Sequence, residues 1–421
     1  MTPWVRGEQQ IQTKQRAAFG TLWAVFFLHG MTPGLWFPAL TNILTARDLA
    51  GWVPAVFVVP PVCALISPLI GGALADQRVA ADRLFAWSSL ICAGLLAAAF
   101  GCLSAGWHPG WFVSLLGLYS LFSGPAWGLL ATVSLTHLEH GERQFPLVRV
   151  GATLGWVAGG LMTSYVLQMD TSPAAGLVGA GVRLLAGLAA FQLPRTPPLG
   201  EGSSWRSRLG FDAFRLLRQR DQGVFFLVTM LFSIPLAAFY MYAPEFLHAL
   251  GDAHPTGTMT IGQVLEVVAM LLVGTVMVKY RVKTVLLWAL GLSVVRFGMS
   301  AVAGVNGVLA WHIAGIALHG VCYTFYFITA QVFLDRRVDP GLRGQAQGLL
   351  VMVSSGVGPL LGALLCGALR AHWVRADGQG WAEFWATLAA MIAGCLVIFA
   401  RCYRGRAHEA PRPPPPTAAS S

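Results

Sequence analysis

A helix crossing the hydrocarbon core of a bilayer needs about 20 apolar residues. The chain offers twelve such runs, at 17–43, 50–74, 83–107, 109–135, 146–169, 172–194, 223–247, 256–279, 282–303, 307–332, 344–370 and 380–402. Short segments between them hold most of the ionisable residues. The runs lack the ten-residue alternation of barrel strands, and irregular backbone is not tolerated against lipid, so each is predicted to be an α-helix. The expected fold class is an all-α membrane protein with twelve transmembrane helices in two six-helix bundles. The first sixteen residues are polar. The first run is too long for a signal-peptide core and lacks a cleavage site, so it is kept as a helix.

Composition agrees: 56% of the 421 residues are hydrophobic and 11% charged, with mean hydropathy +0.63. A net charge of +10 and a pI near 9.6 raise nucleic acid as a partner, but the distribution argues against it. Lys and Arg gather in alternate connections, among them Arg78, Arg83, Arg143, Lys279, Arg281, Lys283, Arg336, Arg337 and Arg343, and in both terminal segments. The intervening connections carry only Arg47, Arg370 and Arg375. This is the positive-inside pattern, and it predicts an inner-membrane protein with both termini cytoplasmic. The seven cysteines lie in or at the ends of spans without a CxxC pair, so neither a disulfide framework nor a metal site is indicated. Nucleotide-binding, nucleophile-elbow and dinucleotide motifs are absent from the sequence, which disfavours an ATP-driven pump or an intramembrane enzyme. No cofactor is expected.

The spacing divides the chain into an N-terminal six-helix bundle (1–194), a basic cytoplasmic linker (195–222), a C-terminal bundle (223–403) and a tail (404–421) expected to be disordered because of its RPPPPTAASS ending. In the linker, Phe211, Phe214 and Leu217 fall on one face of a helical pattern, with arginines opposite. That suits an interfacial helix or a plain basic connector. Gly72, Asp76 and Arg78 follow span two, and Lys279, Arg281 and Lys283 follow span eight, the corresponding place in the second half. Such an echo fits two bundles related by an axis along the membrane normal.

Glu266 is the most informative residue. A carboxylate inside an apolar span must face protein or water, and it can carry a proton. Gln263 and Met270 share its face. In span five, Arg149, Thr153 and Trp156 lie at i, i+4 and i+7, while Gly151, Gly155 and Gly159 form a small-residue stripe on the other side. One face can pack closely while the other presents a guanidinium, a hydroxyl and an indole. Alternatively Arg149 snorkels to the aqueous end and Trp156 is core. In span ten, His312, His319, Tyr323 and Tyr326 share a broad face that would either stack on a flat ligand or fill the core. Phe239, Tyr240 and Tyr242 in span seven are equally ambiguous. Arg183 and Arg296 also fall inside spans and need partners. Gly30, Pro33 and Gly34 would break span one, and Gly358, Pro359 and Gly362 span eleven, as hinges or packing points.

Three segments carry a family resemblance. FPLVRVGATLGW, IGQVLEVVAML and the long stretch from LHGVCYTFYF through SSGVGPLLG resemble spans five, eight and ten to eleven of the nucleoside–proton symporters, within the major facilitator superfamily. The Gly72, Asp76, Arg78 turn is similar to the superfamily's cytoplasmic gating motif. The resemblance implies proton-coupled uptake of a nucleoside or related polar metabolite by alternating access. It implies substrate contacts from Arg149, Thr153, Trp156, Gln263, Glu266, His319 and Tyr323, with Glu266 also coupling protons. The chain departs from the pattern at Thr324, where the family has Asp, at Ala237 and Tyr240 in span seven, and at Ala131 in span four. A carboxylate at 324 would be expected across the cavity from Glu266. These losses keep open a transporter of another small molecule, such as a drug-like or sugar-like compound. A non-transporting membrane sensor is the remaining alternative.

Overall fold

The computed structural model describes residues 3–200, 210–252, 255–375 and 378–405. Among the described residues, twelve long helices carry the fold: α1 (Pro3–Trp36), α2 (Ala55–Gln77), α3 (Ala81–Ser104), α4 (Pro109–His137), α5 (Gly141–Val166), α6 (Ala174–Ala190), α7 (Arg220–Ala249), α8 (Pro255–Lys279), α9 (Val282–Asn306), α10 (Leu309–Arg337), α11 (Pro340–Trp373) and α12 (Trp381–Cys402). Among the described residues, ten of the spans these helices contain are long and apolar enough to cross a membrane; α6 is a shorter apolar helix. Span one extends back to Pro3, well into the polar segment.

Lipid offers no hydrophobic drive for helix association, so small residues and close backbone contact hold the helices together. The stripe on α5 does this against α1. A Cβ on Gly155 would sit 2.0 Å from the Phe27 carbonyl oxygen, and one on Gly151 2.7 Å from that of Trp23. From α1, Gly30 and Gly34 return the contact onto Ala152 and Trp156. Those two glycines are therefore packing points, and α1 runs through Pro33 unbroken until Trp36. On α11, Gly358 and Gly362 seat against Ser233 and Ala237 of α7. The irregularity there is a π-helical turn at Met352–Val357, just before Gly358.

The bundles meet along two seams. Helix α2 lies on α11, with Gly72 against Gly344, Pro68 against Gly348 and Ala64 against Gly356. Helix α5 lies on α8, where Gly274 rests on Glu142 and Arg143. One apolar cluster spans this second seam, uniting Leu129 and Leu130 of α4 with Met270 and Val273 of α8. A further ion pair, Arg336 to Glu142, joins the end of α10 to the start of α5.

The linker differs from its expected form. Phe211–Arg218 is a 3-10 helix, with three residues per turn rather than 3.6. That pitch keeps Phe211, Phe214 and Leu217 aligned, yet the face that packs is the one carrying Ala213 and Leu216, while Phe211 and Leu217 are exposed. Residues 201–209 and the tail from 406 lie outside the described residues, so the disorder expected of the tail is not addressed by the structure.

Candidate functional site

Across the α5–α8 seam, the hydroxyl of Thr153 donates to Oε1 of Glu266 at 2.8 Å. Both residues are buried. Glu266 can face Thr153 because the backbones of α8 and α10 touch behind it: a Cβ on Gly320 would lie 2.1 Å from the Gly262 carbonyl oxygen and 2.3 Å from the Glu266 nitrogen. Arg149, one turn before Thr153, acts electrostatically on both Glu266 and Tyr323. Its guanidinium carbon stands 4.0 Å from the centre of the Trp127 ring. The carboxylate and hydroxyl that the sequence placed on two separate helices thus meet at the seam, with Arg149 one turn along α5 from Thr153.

His319 lies on the same side of α10 as Tyr323. Its Nδ1 receives Arg296 and its Nε2 meets the Tyr240 hydroxyl at 2.8 Å. An arginine can only donate, so Nδ1 is the acceptor and Nε2 carries the hydrogen that goes to the Tyr240 oxygen. His319 also stacks on Phe239, with centroids 4.4 Å apart. Arg296 thereby finds its partners: an imidazole acceptor and the faces of Phe239 and Phe297. Arg183 is handled likewise, by His29 and the ring of Phe85. In both pairs a neutral acceptor and an aromatic face take the place of a carboxylate.

Other expected members stand apart. Gln263 is half-buried one turn before Glu266, and Trp156 packs edge-on against Phe37 at 6.2 Å. His312 is a core residue, bonded to Ser300 at 2.9 Å and in contact with the Ala243 carbonyl. Tyr326 is likewise core, its hydroxyl 3.0 Å from Thr229 and its ring against Phe232. A π-helical turn at Thr324–Ile328 takes Tyr326 off the expected common face. The extra residue per turn rotates the residues after Tyr323 away from the His319 side.

Thr324 corrects a second expectation. It does not lie across the seam from Glu266. It is fully buried beside it in the same bundle, its hydroxyl 3.5 Å from the Glu266 backbone oxygen. Ala131 is enclosed in the apolar seam cluster, and Ala237 packs on Gly362. Two of the departures from the family pattern therefore occupy helix-packing positions.

At one end of the α2–α11 seam, Asp76 caps the start of α11's main helical segment. Its two oxygens accept from the backbone nitrogens of Gly344 and Gln345, each at 2.9 Å. The unsatisfied amides of a helix N-terminus favour an anion, and here the anion belongs to the other bundle. Gly72 permits the approach, since a Cβ there would lie 2.3 Å from the Gly344 oxygen. Arg78 is exposed, outside this contact.

Two bundles of six helices, meeting at a buried ionisable group and joined at one end by an interbundle cap, define a secondary transporter of the major facilitator fold. A crystal structure of a variant of the nucleoside transporter NupG superimposes with a TM-score of 0.70 at 22% identity, covering 92% of this chain and all of that one. The proton:xylose symporter XylE gives 0.69 at 14% identity, over 92% of this chain and 96% of that one. In sequence, the chain is 32% identical to the Escherichia coli K12 protein named "Putative nucleoside transporter YegT", over 91% of this chain and 93% of that protein. It is 26% identical to the xanthosine permease of the same organism, over 89% and 93%. The profile of the family described as Nucleoside H+ symporter matches residues 20–408, and the chain belongs to that family.

Proposed function

We propose that this transporter takes up nucleosides together with protons, and that Glu266 is the group that carries the proton. The single observation behind the reading is the Thr153–Glu266 hydrogen bond across the seam, with Arg149 acting on the same carboxylate. A group that binds a proton and also bonds the opposite bundle ties protonation to the relative position of the bundles. A nucleoside offers hydroxyls and base-edge donors and acceptors, which suit Arg149, Thr153 and the amide of Gln263. Tyr323 offers an aromatic surface at the same seam with the His319 ring beside it, and the names borne by the relatives point the same way. Transport would proceed by alternating access in the inner membrane. The basic connections support a cytoplasmic position for both termini and the Asp76 end.

Accumulation of radiolabelled uridine in proteoliposomes carrying an inside-alkaline pH gradient tests the proposal. Wild type should concentrate uridine. Glu266→Gln keeps the shape of the side chain, removes its titratable proton, and should lose concentrative uptake while retaining counterflow. Unchanged accumulation by the mutant from mildly acidic to neutral pH would remove Glu266 from the coupling. Absence of any nucleoside flux in wild type would overturn the substrate class, and a thermal-shift screen against sugars and drug-like cations would then identify the alternative.

A further inference from the structure

We infer that Trp127 is the residue that positions Arg149 at the transport site. The inference rests on the proposed role of Arg149 as a substrate contact. Arg149 lies eight residues into α5, about 12 Å along the helix from its start at 1.5 Å per residue. A long cationic side chain inside an apolar span ordinarily extends toward the nearest aqueous end. Here it does not. Its guanidinium carbon lies 4.0 Å from the Trp127 ring centre, and its charge acts on Glu266 and Tyr323. Indole presents the most attractive aromatic face to a cation, and the attraction grows as water is removed.

Trp127 is itself fixed. It stands at the edge of the apolar cluster that spans the α5–α8 seam. His29 of α1 packs against it at 4.4 Å with an interplanar angle of 78°. That imidazole is held from behind, since Arg183 of α6 donates to its Nδ1 and Phe85 of α3 meets it edge-on at 5.5 Å. Five helices of the first bundle thus converge on the placement of one guanidinium. This also gives the buried Arg183–His29 pair a task, bracing the ring on which Arg149 rests.

The test combines a spectroscopic and a kinetic readout on the full-length protein. The emission of Trp127 is isolated as wild type minus Trp127→Phe, and again in the Arg149→Gln background. Different Trp127 spectra in the two backgrounds are expected, because the charge over the ring has gone; identical spectra would overturn the contact. In uridine uptake, Trp127→Leu should raise KM about tenfold, the scale of a partly desolvated cation–π contact, with Vmax changed less than twofold. Trp127→Phe, which keeps an aromatic face, should recover most of that loss. An unaltered KM in Trp127→Leu, or an equal loss in both variants, would refute a positioning role. If wild type moves no uridine, the nucleoside reading fails separately, and the spectra alone decide the placement of Arg149.

Discussion

Thr153 and Glu266 belong to different bundles and are joined by a 2.8 Å hydrogen bond inside the protein. When the bundles rock apart at this level, the bond must break. Thr153→Val keeps the volume and removes the donor. A hydrogen bond to a charged group contributes about 1.5–3 kcal/mol, so the conformational equilibrium should move by roughly tenfold or more away from the arrangement seen here. Thr153→Ser should restore it. Alkylation rates of a single cysteine placed near the Asp76 end, compared across the three proteins, measure the shift; equal rates would mean the bond does not bias the states.

The packing on the other face of α5 makes a sharper steric prediction. Gly155→Ala places a methyl group against the Phe27 backbone, which cannot yield as a side chain would. Overpacking of this kind costs about 1–3 kcal/mol, and the detergent-solubilised variant should melt at a lower temperature. Gly160→Ala is the control, because its Cβ would meet only the Gly34 oxygen at 3.9 Å. Similar melting of the two variants would refute the tight α1–α5 contact.

Much of this arrangement is legible in the sequence, for a physical reason. Helical periodicity states which residues share a face, so the Gly151, Gly155, Gly159 stripe and the Arg149–Thr153 face follow from spacing alone. An isolated acid in an apolar span marks Glu266 in the same way. Periodicity does not state which helix lies opposite. The Arg183–His29 pair, separated by 154 positions, and the Trp127 ring beneath Arg149 are for that reason invisible in the sequence. Nor does periodicity survive a change of pitch. The π turn at Thr324–Ile328 moved Tyr326 into the core. In the linker the spacing did not state which face packs: Ala213 and Leu216 are buried, and Phe211 and Leu217 are exposed. In the turn after span two, Gly72 and Asp76 make an interbundle contact, whereas Arg78 is exposed outside it.

Asp76 offers two acceptors to two backbone donors of the opposite bundle. Asp76→Asn leaves one acceptor and turns an amide N–H2 toward a backbone N–H. It also removes the negative charge from a helix N-terminus, worth about 0.3–1 kcal/mol in exposed sites and up to ~2 when partly buried. The Asp76 end should therefore open more readily. Faster labelling of a cysteine at that end is expected, with reduced net uptake because the return step is perturbed. Gly72→Ala should act in the same direction by steric means. Labelling indistinguishable from wild type in both variants would remove this contact from the gate.

Position 324 gives the most discriminating substitution. Its hydroxyl is 3.5 Å from the Glu266 backbone oxygen, in a fully buried setting. Restoring the family carboxylate as Thr324→Asp would set an ionised acceptor against a carbonyl acceptor, with Glu266 itself nearby. A buried charge without a partner is strongly unfavourable. Uptake relative to wild type should fall by more than about tenfold at neutral pH, the factor that 1.4 kcal/mol represents. Once protonated, the carboxyl becomes an O–H donor to the same carbonyl, so the deficit should shrink as the medium is acidified. Thr324→Asn supplies an N–H donor without charge and should stay within a few-fold of wild type throughout. A site that had merely lost one acid from an otherwise unchanged pocket would behave in the opposite way, with Thr324→Asp transporting nucleosides as well as or better than wild type at neutral pH. That outcome would show that the surroundings of Glu266 still accommodate a second carboxylate, and it would refute the reading of Thr324 as a buried donor to the Glu266 carbonyl in a setting that excludes charge.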